Sequence, residues 1–197
     1  MRVSLPPAYF DAMYAETDDP WGFETSAYEA AKYQVSLDAL PRACYRSAFE
    51  IGCSIGVLTE RLAARTERLL AVDVSEQALR RARVRCQHLE HVRCDLLRVP
   101  ESFPNALFDL IVVSEVGYYW SRIELGRAMR LIVNHLAPGG HLLLVHWTPF
   151  VADYPLTGDQ VHDAILSATA PRMRPQPLVS RREGSYRLDL LERCQMT

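Results

Sequence analysis

The segment Phe49-Glu50-Ile51-Gly52-Cys53-Ser54-Ile55-Gly56 limits the fold most tightly, because it sets an acid and two glycines where an apolar run meets a helical pattern. Ala48, Phe49 and Ile51 read as a short buried strand, and Val57, Leu58, Leu62 and Ala63 then recur at helical spacing. Glycines at such a junction let the backbone turn tightly and approach a ligand with no Cβ in the way. Strand, glycine loop and helix together predict a nucleotide-like ligand. The spacing excludes two of the usual ones. A dinucleotide loop needs Gly-x-Gly-x-x-Gly, but counting from Gly52 the other two places hold Ser54 and Val57; a P-loop needs Gly-Lys-Ser/Thr, but no lysine follows Gly56.

What remains, acid-x-Gly-x-x-x-Gly, resembles motif I of the class I S-adenosylmethionine (SAM) methyltransferases, Asp/Glu-x-Gly-x-Gly-x-Gly, with Ser54 in place of the middle glycine. The resemblance implies SAM as cofactor, held around Glu50, Gly52, Cys53, Ser54 and Gly56, with Ser54 a tolerated small residue whose hydroxyl can face the cofactor. The plain alternative is a structural glycine turn in an unrelated α/β protein.

Downstream, apolar runs and amphipathic segments alternate as in a parallel sheet covered by helices. Leu69 to Val74 is a second strand containing Asp73, and Ser75 caps a helix over 76–87. Val92 to Asp95 is a third strand and Leu107 to Ser114 a fourth, its apolar run suited to the sheet centre. Ser121 and Glu124 form a capping box for a helix expected to stop at Pro138-Gly139-Gly140, before a fifth strand from His141 to Trp147. Two helices precede the glycine loop, over 7–16 and from the Ser26/Glu29 capping box to about Pro41. Thr157 and Gln160 open a last helix, and the segments 178–182 and 186–191 flank Gly184 as a hairpin. A terminal antiparallel hairpin is what the class I methyltransferase sheet carries, whereas dinucleotide folds end on another parallel strand. The expected fold is thus a Rossmann-like α/β sheet of about seven strands in one domain: a helical cap over 1–43, a cofactor-binding core over 44–147, and an acceptor-side helix and hairpin over 148–197.

In a doubly wound sheet the ligand crosses the carboxyl ends of the strands, which singles out Glu50, Asp73 with Val74, Asp95 with Leu96, Ser114 with Glu115, and His146 with Trp147. Asp73 falls 21 residues after Gly52, where an acid accepts bonds from ribose hydroxyls; read plainly, it only caps a helix. Asp95 is placed to accept from an adenine amino group while Leu96 offers its amide. Tyr28 and Lys32 share one helix face and can meet a ligand carboxylate. Trp21, with Tyr9, Tyr118, Tyr119 and Trp147, supplies aromatic faces for a cation, though any one of these is more often plain core. Glu115 and His146 are the candidate bases; alternatively Glu115 anchors an ammonium and His146 is a hydrogen-bonded structural histidine.

A narrower resemblance covers roughly residues 18–145. Asp19-Pro20-Trp21, the glycine loop, the run 108–116 followed by Tyr118-Tyr119, and Leu136-Ala137-Pro138-Gly139-Gly140-His141-Leu142 are together similar to the nodulation N-methyltransferases, the NodS-like family. That likeness implies methyl transfer to the free amine of a de-N-acetylated chitooligosaccharide. It fades from His146 onward, in the region most exposed to the acceptor. O-methylation of a small metabolite and a non-catalytic subunit that keeps the fold remain alternatives.

The 24 acidic and 22 basic residues nearly cancel, leaving a charge of −2, so no net field favours nucleic acid or an anionic membrane. Arg80, Arg81, Arg83 and Arg85 form a basic stretch that reads as the solvated side of a helix, and no Asn/Asp-Pro-Pro-Tyr loop typical of base-amino methylation follows the fourth strand. No apolar run reaches the roughly 20 residues of a membrane span, and a soluble cytoplasmic protein is expected. Five cysteines without a Cys-x-x-Cys pair point to reduced thiols, and no cluster has metal-ligand spacing. Of the basic residues only Lys32 is a lysine. The acceptor and the oligomeric state are left open.

Overall fold

The computed structural model describes residues 2–167 and 175–194. Parts of the expected 148–197 region, at 168–174 and 195–197, therefore lie outside the described residues. The chain forms two compact units, one of residues 6–98 and one of residues 1–5 with 99–197. Among the described residues no helix is long and apolar enough to cross a membrane.

The 6–98 unit runs α1 (Pro7–Glu16), α2 (Ala27–Asp38), β1 (Ala48–Ile51), α3 (Val57–Ala63), β2 (Leu69–Asp73), α4 (Glu76–Cys86) and β3 (Val92–Leu96). Its strands are parallel in the order β3-β2-β1, and the register sets Ile51 beside Val72 and Asp73 beside Leu96. Every residue of β1 is buried, as a strand covered on both faces requires. Cys53, Ala71, Leu79, Ala82, Cys86 and Cys94 form one core cluster, and all five cysteines of the chain are free thiols. The expected caps are present: the Ser26 hydroxyl accepts from the Glu29 amide, and the Ser75 hydroxyl accepts from the Ala78 amide. The cap helices are tied down by side chains. Arg65 spans the end of α2, donating to the carbonyls of Leu37, Leu40, Arg42 and Ala43.

The basic stretch on α4 is more than a solvated face. Arg81 pairs with Asp18, Arg83 with Glu76, and Arg85 with both Glu24 and Glu60 while donating to the Ile55 carbonyl. Three of its four arginines are thus matched by acids within the unit.

The other unit carries β4 (Phe108–Ser114), a 3-10 turn at Gly117–Tyr119, α5 (Arg122–His135), β5 (Leu136–Trp147), α6 (Gly158–Ser167), β6 (Gln176–Arg182) and β7 (Tyr186–Glu192). Its strand order is β4-β5-β7-β6, with β4 and β5 parallel and both hairpin pairings antiparallel. Seven strands ending in an antiparallel hairpin are the class I methyltransferase pattern expected from the sequence.

One boundary differs from expectation. The helix before Pro138-Gly139-Gly140 stops at His135, and those three residues belong to β5, bulged so that Phe108 pairs with Leu136 while Leu110 pairs with His141. The reason is Arg193. Its backbone pairs with Gly139 and Gly140, and its guanidinium donates to the carbonyls of Val133, Asn134 and Leu136, which the end of α5 leaves without helical partners. Gly140 has no room for a side chain there, since a Cβ would meet the Ala137 carbonyl oxygen at 2.8 Å.

Candidate functional site

The glycine loop is built from backbone. Gly52 and Cys53 both donate to the Val72 carbonyl, at 2.8 and 3.0 Å, which hangs the loop from β2 as it leaves β1. Gly56 starts α3 at φ +81, and a Cβ on it would lie 3.0 Å from the Ala82 Cα, so only glycine allows α3 to begin this close to α4. Ser54 also stands in the left-handed region, at φ +52, where a side chain costs roughly 1–2 kcal/mol. Its hydroxyl is hydrogen-bonded to Tyr14 Oη on α1. Tyr14 thereby becomes part of the loop; its phenol is pushed up by burial and then by the nearby Asp73 charge, which keeps the O–H a donor.

Asp73 ends β2 with its carboxylate held on both oxygens: the Ser54 amide donates to Oδ2 at 2.8 Å and the Ser75 amide to Oδ1 at 2.9 Å. Burial pushes its carboxyl up, while these amides and that of Val74 pull it back. The Ser75 hydroxyl that caps α4 donates in turn to Asp11 at 2.6 Å. Asp73 therefore binds both loops into one rim, with an orientation set by the Ser54 and Ser75 amides.

Glu50 is buried beneath this rim. Its Oε2 has no hydrogen-bond partner, and burial pushes its carboxyl up to about 8, moderated by the Thr59 hydroxyl. Cys53 is buried as well, its thiol pushed up first by burial. Asp95, on β3, is paired with Arg93 at 2.6 Å, and Leu96 beside Asp73 is exposed. Trp21 packs edge-on against Tyr14, 5.7 Å between centroids, and stacks on Phe23. The turn that presents it is fixed by Asp19, whose two carboxylate oxygens accept from the Phe23 and Glu24 amides. Lys32 does lie over the Tyr28 ring, at 5.4 Å, and its ammonium forms a buried pair with Glu29 at 2.9 Å. Glu29, the capping residue of the same helix, stands at i,i+3 spacing from the lysine.

In the other unit, Ser114 ends β4 beside Val145, and Glu115 turns the chain at φ +56. Its Oε2 accepts from the Tyr118 hydroxyl at 2.6 Å and from the Trp147 amide at 2.9 Å. Burial and then the Glu115 charge push the Tyr118 phenol well up, so it stays protonated and donates. Tyr118 also stacks on Tyr154, 5.0 Å between centroids, with Tyr119 edge-on to both. His146 has another place than the one its position at a strand end suggested. It is fully buried, its Nε2 accepts from the Gly117 amide at 3.1 Å and its Nδ1 meets His162 Nε2 at 3.1 Å, so both ring nitrogens are engaged and neither serves as a base in this arrangement.

Residues 13–147 match the family described as nodulation protein S, NodS. This chain belongs to the NodS family. Nodulation protein S of Bradyrhizobium diazoefficiens is 42% identical over 131 residues, 64% of this chain and 61% of that protein. The chain thus spans about three fifths of the length of that relative. A crystal structure of a Pseudomonas syringae protein assigned as a methyltransferase superposes at TM-score 0.74 with 36% identity, covering 85% of this chain and all of that one. The N-methyltransferase NodS of Bradyrhizobium japonicum WM9, crystallised with S-adenosyl-L-homocysteine, superposes at TM-score 0.80 with 24% identity, covering 94% of this chain and 97% of that one.

The NodS match ends at Trp147, and several residues that complete the geometry lie past it or outside the motifs. Tyr14 and Asp11 sit on α1, Tyr154 in the loop after β5, His162 on α6 and Asp189 on β7. Tyr14 is the one buried residue of its helix, which the sequence did not mark. The others become visible only through partners distant in sequence.

Proposed function

We propose that this NodS-family chain transfers the methyl group of S-adenosylmethionine to the amine of a small acceptor, a de-N-acetylated amino sugar or related saccharide. The observation that carries the reading is Asp73: a carboxylate at the carboxyl end of β2, fixed by the Ser54 and Ser75 amides beside a glycine loop, is prepared to accept two ribose hydroxyls. The residues fit the cofactor in other respects. The unpartnered Oε2 of Glu50 lies under the loop, Gly56 leaves no Cβ where the chain turns, and Leu96 is exposed beside Asp73. Val74 and Asp95 complete the nucleoside rim, and Trp21 the aromatic side of it.

When bound, the cofactor supplies a methyl carbon already activated by its sulfonium, so alignment contributes most of the acceleration, up to about 7–11 kcal/mol. The acceptor nitrogen supplies the electron pair for the new C–N bond, and the C–S pair leaves with sulfur. The amine must also give up one proton, and Glu115 takes it. Two donors, the Tyr118 hydroxyl and the Trp147 amide, fix that carboxylate in place. Tyr119, with the ring of Tyr154, gives the nitrogen an aromatic surface as it takes on positive charge on methylation. An amine acceptor suits one fixed carboxylate, whereas an unactivated hydroxyl needs a stronger base or a metal.

The test is calorimetry followed by transfer of radiolabelled methyl. S-adenosylhomocysteine is expected to bind and NAD not to; label is expected in glucosamine oligomers with a free amine and not in their N-acetylated forms. NAD binding would return the loop to the dinucleotide class, and label in an alcohol acceptor would replace the amine.

A further inference from the structure

We propose that Asp189, His162 and His146 form a positioning relay that orients the Gly117–Tyr119 turn and, through it, the Glu115 carboxylate. The proposal rests on the reading of Glu115 above. Its geometry is a single directed line of hydrogen bonds crossing four elements. The Gly117 amide has only a proton to give, so His146 Nε2 must be a bare acceptor. A neutral imidazole then carries its proton on Nδ1, which donates to His162 Nε2 at 3.1 Å. His162 is in turn left with its proton on Nδ1, donated to Asp189 Oδ2 at 2.7 Å. The direction of every bond is fixed from both ends, by an amide that can only donate and a carboxylate that accepts.

The far end is anchored well. Asp189 Oδ1 accepts from the Ser180 hydroxyl at 2.5 Å and Oδ2 from Arg187 Nε at 2.9 Å, while Arg187 is further held by Asp163. Burial raises the Asp189 carboxyl, but the bonds from His162 and Ser180 and the Arg187 charge bring it below its ordinary value, so the acceptor stays ionised. Burial lowers His162 more strongly than Asp189 raises it, which keeps the middle ring neutral. The near end has no slack. A Cβ on Gly117 would meet Val161 at 2.5 Å and His146 Nε2 at 2.9 Å, and one on Gly158 would meet the Trp147 carbonyl oxygen at 2.2 Å, so two glycines let α6 press the histidines together.

The output of the line is Glu115. The turn that His146 holds carries Tyr118, whose hydroxyl donates to Glu115 Oε2, and the next residue on β5, Trp147, donates to the same oxygen. A ring rotation or tautomer change at His146 therefore loosens both donors of the carboxylate at once. The three side chains consume one another's lone pairs rather than converging on a point, and among the described residues no group of three or more His, Cys, Asp or Glu is placed to hold a metal. Gly117 and His146 lie within the segment matched to NodS, and His162 and Asp189 beyond it.

Imidazole nitrogen spectra of the unliganded full chain test the line directly, because they do not depend on methyl transfer. Both His146 and His162 are expected as neutral Nδ1–H tautomers near pH 7; an Nε2–H tautomer at His146 overturns the relay. His162→Phe is expected to release the His146 tautomer, lower the exchange protection of the Gly117 amide about tenfold, and reduce kcat about tenfold with KM for SAM within about twofold. Unchanged Gly117 protection in that variant overturns the proposal. A second pair covers the case where His162→Phe does not fold. His146→Gln keeps an acceptor at the place of Nε2 and is expected to retain Gly117 protection and most of kcat, while His146→Asn keeps only a donor at the place of Nδ1 and loses both. Equal behaviour of the two overturns the relay. Absence of methyl transfer in the unaltered chain, with the tautomers as expected, overturns the proposed function and leaves the relay standing.

Discussion

The rim around Asp73 and the cluster around Glu115 each hold one carboxylate with two donors, yet they are made of different material. Asp73 takes both donors from amides close by in the loops, Ser54 and Ser75. Glu115 takes one from a side chain and one from the neighbouring strand 32 residues away, and its support runs through His146 and His162 to Asp189. A site cut from backbone depends on where the chain can turn, so glycines and spacing record it. A site assembled from side chains depends on what packs, and any one residue carries its role only in company. The first kind suits a cofactor shared across a fold class, and the second suits an acceptor particular to one protein.

The largest effect should come from the side-chain half. Glu115→Gln removes the proton acceptor but keeps an amide oxygen for the Tyr118 and Trp147 donors, so the turn should persist. A loss of about 1,000-fold in kcat, within the range of a general base, is expected in a methyl-transfer assay with SAM binding unchanged. A loss under about tenfold would make Glu115 an anchor rather than a base.

Glu50 gives the next largest effect, in stability and with a definite sign. Its carboxyl stands at about 8 in the folded chain against an ordinary 4.5. The folded state thus keeps a proton that the unfolded state releases, so the associated stability is complete below about pH 4.5 and is lost as pH rises through about 8. Between the ordinary 4.5 and pH 7 that loss is about 3 kcal/mol, at 1.36 kcal/mol per unit. Glu50→Gln, neutral at every pH, should therefore be more stable than the native chain by about 3 kcal/mol at pH 7 and by under about 1 kcal/mol at pH 5 in urea titrations. Equal gains at the two pH values would mean that the carboxyl is ionised in the fold. The gain would also show that this half carries a buried acid at the expense of its own stability, as a ligand site does.

These two residues mark how much of the molecule the sequence made legible. Strand, loop and helix alternation followed from periodicity, and the glycine loop with Asp73 followed from spacing, because a backbone turn leaves its requirement in the residue itself. Arg193 ending α5 early and His162 claiming His146 left no local trace: each is a partner chosen by packing between segments distant in the chain, whereas Glu29 claims Lys32 from one helical turn away. Glu115 was visible as a strand-end acid, but Tyr154 and Asp189, which complete its surroundings, were not.

Asp73→Ala addresses the backbone half at somewhat smaller scale. Two charge-assisted bonds of roughly 1.5–3 kcal/mol each, less desolvation, predict a loss of about 100-fold in SAM affinity by calorimetry. If the rim is held chiefly by the Gly52 and Cys53 amides on the Val72 carbonyl, the melting temperature without ligand should move little. A large drop in melting temperature would make Asp73 a structural strut, and unchanged affinity would remove it from the site.

The smallest effect is the sharpest test of the contrast, because Ser54 belongs to both kinds of construction. Its backbone occupies a glycine-type conformation, at φ +52, while its hydroxyl bonds a tyrosine 40 residues earlier. Ser54→Gly relieves left-handed strain of roughly 1–2 kcal/mol but orphans the buried Tyr14 hydroxyl at about 1–3 kcal/mol, so the two nearly cancel. Ser54→Ala keeps the strain and still loses the bond, and should be the less stable of the pair by about 1 kcal/mol. Adding Tyr14→Phe removes the orphaned hydroxyl, so Ser54→Gly with Tyr14→Phe should recover about 1 kcal/mol over Ser54→Gly alone in urea melts. If the double variant shows no recovery, the hydroxyl pair contributes nothing and Ser54 is simply a poor glycine. If it recovers, the serine is a motif position that exchanged backbone freedom for a side-chain tie to α1, the kind of construction that also holds Glu115.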